Sequence, residues 1–569
     1  MEKIILKSNF FWPIWLLCGL NLLVMHYYII SACGMETELN ITTIIDNCLG
    51  IVIDTSFLFL VSYYMVLKRQ RAALVITFMV TLGWSFSNIL YSRFFHHYIS
   101  LSAMGQGGSL FDWQMIRCVV DGFRWSDLYF IVSLCLFSLY INHVHAIKKI
   151  VAKTFLILLI LLGVDFLSYL IYCSLTPEHR YMSFLFQRME HRQLSTELHL
   201  YDPNNATFRR GCIRSLLYEL ALDSNGAVEL TDEQQMQIAK EIELSRGRVG
   251  KEHCGITDKN VIFILVESYM SFTSDMKVGG REVTPFLNSL KRDTTVYYNG
   301  QMHENITIGN SSDGQFIYMS GLLPLRSVIT VSKARSVTLH GLPRMLNRAS
   351  RMVIPTVTSM WNQDEMCSKY GFDHLYASYD YGTGNEKTLN DEQVFQLAAQ
   401  KDEGSPQPFF SVILTMSMHS PYTKQIDSSF QINDTSIPED LACYLNACHY
   451  TDGLIGKYFE HLKRTGLYDN SIIVIAADHH VHNTDFGGVS QDIPLYLVNI
   501  PNEVCSKMWK GDCNQIDVYT TLLDLLNVEF HWYGFGCSLL SPNYDNSIDA
   551  SKWDVSEWII RGDYFSKEE

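Results

Sequence analysis

Charge is scarce in this 569-residue chain: Asp, Glu, Lys and Arg make up 18% of it, against 48% hydrophobic residues. Positive charge is the scarcer sign, with 44 Lys and Arg against 59 Asp and Glu and a net charge of −15. No Lys/Arg-rich stripe is present to neutralise a phosphate backbone, so nucleic acid is not an expected partner. Cysteine is sparse as well. Fourteen in this length are too dilute for a disulfide scaffold, and the absence of paired CxxC knuckles argues against a structural zinc module. No internal repeat or low-complexity tract stands out. What the chain does have is apolar sequence, concentrated in the first 175 residues. That excludes a single soluble enzyme.

A bilayer core about 30 Å thick calls for about 20 apolar residues of helix. Asn9–Ala32 supplies an uncharged run, followed by Cys48–Leu67 (broken only by Asp54), Ala72–Tyr91, Leu128–Ile147 and Thr154–Cys173 (broken only by Asp165). Five spans are expected. Lys3 and Lys7, then Lys68, Arg69 and Arg71, then Lys148, Lys149 and Lys153 all fall on one side of such a bundle. Basic loops stay in the cytoplasm, which puts the N-terminus inside and everything after residue 175 outside. Arg93, Arg117 and Arg124 in an external link run against this pattern. Ile30-Ser31-Ala32-Cys33 loosely resembles a lipoprotein cleavage site, but the apolar run is too long for an ordinary signal segment. Asp54 and Asp165 suit polar contacts between helices, or a polar entry for a lipid headgroup, better than an ion pathway.

Residues 176–255 are more polar and poor in strand signals, and read as a helical connector. Thr231 and Gln234 fit a capping box opening a helix to about Leu244. From residue 260 short β-branched runs alternate with helical stretches, the signature of an α/β domain. Val261–Val266, Ser411–Met416, Ser471–Ala477 and Leu495–Val498 are the expected strands, and Tyr519–Leu526 an expected helix. Glu267 follows the first strand directly, His419 the second, and Asp478-His479 the third. Open α/β sheets bind ligands beyond the carboxyl ends of their strands. Hard carboxylates with one imidazole there form a credible site for Mn, Mg or Zn. His480 and His482 read as loop histidines that could join it. An oxidising exterior permits local disulfides at Cys443/Cys448 and Cys505/Cys513, although a helix over 439–449 would point the first two apart.

Val261-Ile-Phe-Ile-Leu-Val-Glu267-Ser268, Gly309-Asn-Ser311-Ser312-Asp313-Gly-Gln-Phe316 and Ala477-Asp478-His479 resemble the three signatures of lipoteichoic-acid-synthase-type phosphoglycerol transferases. These enzymes lie within the alkaline phosphatase and sulfatase superfamily. Supporting fragments are Trp361-Asn362-Gln363-Asp364-Glu365-Met366 and Gln515-Ile516-Asp517. The resemblance covers most of the chain, and is weakest over 176–255. It implies a five-helix membrane bundle (1–175), a helical juxtamembrane linker (176–255), a sulfatase-like α/β catalytic domain (256–545) and a C-terminal tail (546–569). It implies one divalent metal, Mn²⁺ first with Mg²⁺ or Zn²⁺ as alternatives, on Glu267, Ser311, Asp478 and His479. Ser311 stands at the nucleophile position, usually Thr, and its choice over Ser312 rests on motif register. His419 matches a contact to the substrate phosphate and a proton donor, and Trp361 a wall of the headgroup pocket. Gln363 stands at a substrate position often held by Arg.

The implied activity moves a phospholipid headgroup through a phospho-Ser enzyme to an envelope glycolipid or glycan, at the bacterial cytoplasmic membrane with the catalytic domain outside. The donor is phosphatidylglycerol or, because Gln363 is no Arg, phosphatidylethanolamine. A catalytically silent envelope protein is the rival of another class, and a transporter a weaker one. Sulfatases need a Cys or Ser in a C/S-x-P-x-R pattern, whereas Ser311-Ser312-Asp313-Gly314-Gln315 has neither Pro nor Arg.

Overall fold

The computed structural model describes residues 11–32, 41–104, 123–144, 151–161, 203–224, 229–250 and 256–567, apart from short gaps at 96, 102–103, 159, 327, 385–387, 421 and 483–485. The chain divides into two compact units, Met1–Ser224 and Asn225–Glu569.

In the first unit, α1 (Phe11–Ala32), α2 (Ile41–Met65), α3 (Gln70–Phe95) and α4 (Leu128–Tyr140) carry the apolar runs. The stretches Phe11–Ser31, Thr43–Met65, Gln70–Arg93 and Trp125–His143 are long and apolar enough to cross a membrane. Helix suits them because it satisfies every backbone polar group within the segment. Among the described residues there are four such spans rather than five. The expected run Thr154–Cys173 is helical at 151–158, and most of it, with Asp165, lies outside the described residues. Phe78 of α3 stacks on Phe137 of α4 at 4.0 Å, beside buried Phe11, Trp15 and Phe59.

Several polar side chains in this unit pair with one another. Arg93 grips Asp127 with two parallel hydrogen bonds of 2.8 and 2.6 Å. Ser133 donates to Asn21 Oδ1 at 2.8 Å. Asp54 has a different partner, the helix pair α5 (Pro203–Arg210) and α6 (Cys212–Ser224). Its Oδ2 accepts the Cys212 N–H at 2.7 Å and the Ile213 N–H at 3.4 Å, groups that α6 itself leaves unpaired at its start. The polar contact expected of Asp54 is therefore a helix cap. Asp54→Ala leaves those buried donors without an acceptor, at a cost of about 1–3 kcal/mol. A thermal melt of the full-length protein in detergent should fall by several degrees.

The connector expected over 176–255 is parted between the units. α5 and α6 belong to the first, and α7 (Asp232–Ser245) to the second. Thr231 and Gln234 close the capping box of α7 as expected, with bonds of 3.2 and 3.0 Å.

The second unit is built on one eight-stranded sheet: β1 (Asn260–Val266), β2 (Val296–His303), β3 (Ala349–Val353), β4 (His374–Tyr376), β5 (Phe409–Leu414), β6 (Ser471–Ala477), β7 (Ile493–Val498) and β8 (Cys513–Asn514). Its order is β8-β2-β7-β6-β1-β5-β3-β4. Only β7 runs antiparallel to its neighbours. Its longer helices are α8 (Ser311–Ser320), α9 (Gln363–Tyr370), α10 (Asp391–Glu403), α11 (Glu439–Arg464), α12 (Asp517–Leu525) and α13 (Ala550–Arg561). Every residue of β1 and β6 is buried, the pattern of central strands covered on both faces.

The end of one strand and the cysteine pairing differ from expectation. Strand β5 ends two residues before the expected Met416, because Met416 and Ser417 donate their N–H groups to Asp391 rather than to a neighbouring strand. Within the C-terminal tail, α13 packs against α7 and buries Val555, Ile559 and Ile560. Cys443, Cys448, Cys505 and Cys513 are all free thiols. Cys443 and Cys448 lie on α11, where five residues of helix turn them to different faces.

Candidate metal and nucleophile site

Two parallel strands end side by side at one edge of the sheet, and each hands polar residues to it. Glu267 follows β1 and Asp478-His479 follow β6, whose last residues Val266 and Ala477 lie in register. The Ser268 N–H donates to Asp478 Oδ1 at 2.8 Å, and Ser268 Oγ donates to Glu267 Oε1 at 2.7 Å, locking the two carboxylates side by side.

Ser311 enters from α8. Asn310 before it has φ +43° and ψ −118°, a costly conformation for a residue with a Cβ, and it sets Ser311 as the first residue of the helix. The loop is braced by Asp313, whose Oδ2 accepts from Thr307 N, Thr307 Oγ1 and Gly309 N at 3.0, 2.7 and 2.9 Å. Ser311 Oγ then donates to Glu267 Oε2 at 3.2 Å and lies 3.0 Å from His479 Nε2. Ser312 instead turns its hydroxyl to the Gly309 carbonyl at 2.8 Å. Geometry thus separates the two serines that motif register alone had separated.

His479 Nδ1 lies 2.6 Å from the His480 carbonyl. A carbonyl only accepts, so Nδ1 carries a hydrogen and Nε2 is the nitrogen that faces Ser311, Glu267 (3.6 Å) and Asp478 (3.5 Å). Burial works against the imidazolium, yet the charges of Asp478, Glu267 and Glu304 outweigh it and push His479 up to about 9. Burial, and then the Glu267 charge, raises Asp478. Burial also acts to raise Glu267, but His419 and His479 outweigh it and hold Glu267 below its usual range. Two buried carboxylates this close need a proton or a cation between them. Glu267, Asp478 and His479 offer ligand atoms all within 4.8 Å of one another, and with Ser311 they form a hard, partly nitrogenous donor set suited to one divalent ion.

The other expected site residues are placed less uniformly. His419 is exposed in the segment after β5, which Asp391 braces. Trp361 follows β3 in a short turn and is half-buried, with φ +53°. Gln363 lies inside the fold. It is buried and forms a reciprocal amide pair with Gln315, one turn along α8 from Ser311, at 2.7 and 3.0 Å.

Sequence reading missed the supports. Gly314 lies so close to β6 that a Cβ there would meet the Asp478 carbonyl oxygen at 2.3 Å. Gln515 donates to that same oxygen at 2.7 Å, and Tyr318 to the Ala477 carbonyl at 2.7 Å. The signal was available: Asp313 and Gly314 stand inside the motif around Ser311, but an Asp-Gly pair ordinarily reads as a turn.

Residues 259–528 match the sulfatase family. The chain is 28% identical over 538 residues to lipoteichoic acid synthase 2 of Bacillus subtilis (strain 168), covering 87% of this chain and 78% of that one. It is 25% identical over 564 residues to the lipoteichoic acid synthase of Staphylococcus saprophyticus, covering 90% and 82%. The crystal structure of the lipoteichoic acid synthase LtaP from Listeria monocytogenes aligns with a TM-score of 0.47 at 20% identity, over 58% of this chain and 98% of that one. The chain is thus similar to the sulfatase family over residues 259–528 and to lipoteichoic acid synthases over most of its length.

Proposed function

We propose that this protein is a membrane-anchored, metal-dependent phosphotransferase that moves a phospholipid headgroup, phosphoglycerol first, to an envelope glycolipid or glycan through a phospho-Ser311 intermediate. The observation that carries this is the placement of Ser311 Oγ within 3.2 Å of Glu267 and 3.0 Å of His479 at the start of α8. The names of the relatives support the reaction class, and the apolar helices support a lipid substrate. Lys68, Arg69 and Arg71 beside the first residues of α3 favour a cytoplasmic N-terminus and an extracytoplasmic catalytic domain.

Glu267, Ser311, Asp478 and His479 hold the divalent ion. When bound, that ion lowers the pKa of the serine hydroxyl and neutralises charge on the phosphoryl oxygens. Ser311 directs its hydrogen to Glu267, leaving an oxygen lone pair for the phosphorus. Attack forms the Oγ–P bond and breaks the P–O bond to diacylglycerol, whose oxygen takes a proton from His419. The positive end of the α8 dipole, at which Ser311 sits, favours the anionic phosphoryl group. An acceptor hydroxyl then gives its proton to His419, attacks the phosphorus and breaks the Oγ–P bond, and the released Ser311 oxygen takes its hydrogen back from Glu267.

The buried Gln315–Gln363 pair leaves a neutral amide where the resemblance suggests an Arg, which favours a second reading with phosphoethanolamine as the group transferred. The context Ser311-Ser312-Asp313-Gly314-Gln315 speaks against sulfatase chemistry. Diacylglycerol release from phosphatidylglycerol and phosphatidylethanolamine vesicles tests the proposal. Chelation should abolish release and Mn²⁺ should restore it. Release that survives chelation in fully stripped protein, or none from metal-loaded protein, contradicts it.

A further inference from the structure

A second group of metal-ligating side chains stands beside the first. Glu304 follows β2 directly, and His480 and His482 follow the Asp478-His479 pair. One oxygen of Glu304, Oε2, accepts the His480 backbone N–H at 2.8 Å. The other, Oε1, faces two imidazoles at once: His480 Nδ1 at 2.8 Å and His482 Nε2 at 3.3 Å. Both ring nitrogens are closed off from solvent and face Glu304 alone. The two rings are 4.0 Å apart, tilted by 46° rather than stacked, and one ligand atom from each of the three residues lies within 4.8 Å of the others.

Two buried imidazole nitrogens that converge on one carboxylate oxygen crowd each other and are good ligands for an ion. Tetrahedral zinc with bonds of about 2.0–2.1 Å sets its ligand atoms about 3.3 Å apart, close to the spacing present. We propose that Glu304, His480 and His482 form a second metal site, for a divalent ion of borderline softness such as Zn²⁺. Two nitrogens and one carboxylate suit Zn²⁺ better than Mg²⁺ or Ca²⁺, which take oxygen. Three protein ligands leave one position for water or an anionic oxygen. The His482 ring is 5.2 Å from that of His479, so this site adjoins the site of Ser311 and shares no ligand with it. An ion there also ties the end of β2 to the loop after β6, two segments far apart in the chain. This inference stands on its own donor set and does not depend on the transfer reaction.

Zinc content per chain tests it. Full-length protein in detergent is stripped with chelator, reloaded with Zn²⁺, desalted and measured by mass spectrometry for metals. Wild type should hold two ions, the His480→Gln/His482→Gln variant one, the Glu267→Gln/Asp478→Asn variant one, and the fourfold variant none. A wild type with one ion, or a His480/His482 variant with an unchanged count, overturns the proposal. Cobalt supplies a check that does not require the histidine double variant to fold. In the Glu267→Gln/Asp478→Asn protein, Co²⁺ should give visible d–d absorption that Glu304→Gln alone removes. Absorption unchanged by Glu304→Gln also overturns the proposal.

Discussion

Gly314→Ala is expected to lower the rate of headgroup transfer by about 100-fold or more, although residue 314 touches no substrate. The added Cβ would fall 2.3 Å from the Asp478 carbonyl oxygen, 2.9 Å from its carbon and 3.0 Å from its Cα. All three are backbone atoms at the end of a central strand, so no flexible side chain can swing aside. The oxygen is further held by the Gln515 amide. Helix α8 must therefore move away from β6, and Ser311 moves with it from Asp478 and His479. A misplacement of about 1 Å in a reacting group costs on the order of 100-fold. Transfer rate and melting temperature, measured together on the full-length variant, check this. A folded variant with wild-type rate would show that the spacing of α8 and β6 does not govern the nucleophile.

Glu267→Gln should be at least as damaging and for another reason. The substitution keeps size but removes a charge that serves Ser311, Ser268 and His479 together. Groups that merely orient metal ligands are worth about 10–100-fold in affinity or activity, so a ligand itself should exceed the upper figure. The variant should lose both activity and one bound divalent ion, and raised Mn²⁺ should recover part of the rate. A fully active variant with unchanged metal content would remove Glu267 from the site.

The readable part of this protein was the part with one cause. β1 and β6 are central, buried on both faces and therefore continuous apolar runs, so strand and trailing carboxylate could be found together. β2, β3, β4 and β8 escaped because they are mixed or short: Val296–His303 holds Asn299, Gly300 and Gln301, and β8 is two residues long. Missing β2 hid Glu304, which stands after its strand just as Glu267 does. The Gln315–Gln363 pair joins residues 48 positions apart on two helices, a contact no local pattern encodes. Asp54 was visible as a costly residue in a span, but its partner is 158 residues away.

The most direct test of the central claim is the intact mass of the full-length protein after incubation with mixed phospholipids and Mn²⁺, beside Ser311→Ala. The account predicts an added mass of phosphoglycerol or phosphoethanolamine on wild type and none on the variant, with diacylglycerol released only by wild type. An adduct that persists on Ser311→Ala, or metal-loaded wild-type protein that gains no mass and releases no diacylglycerol, would contradict it.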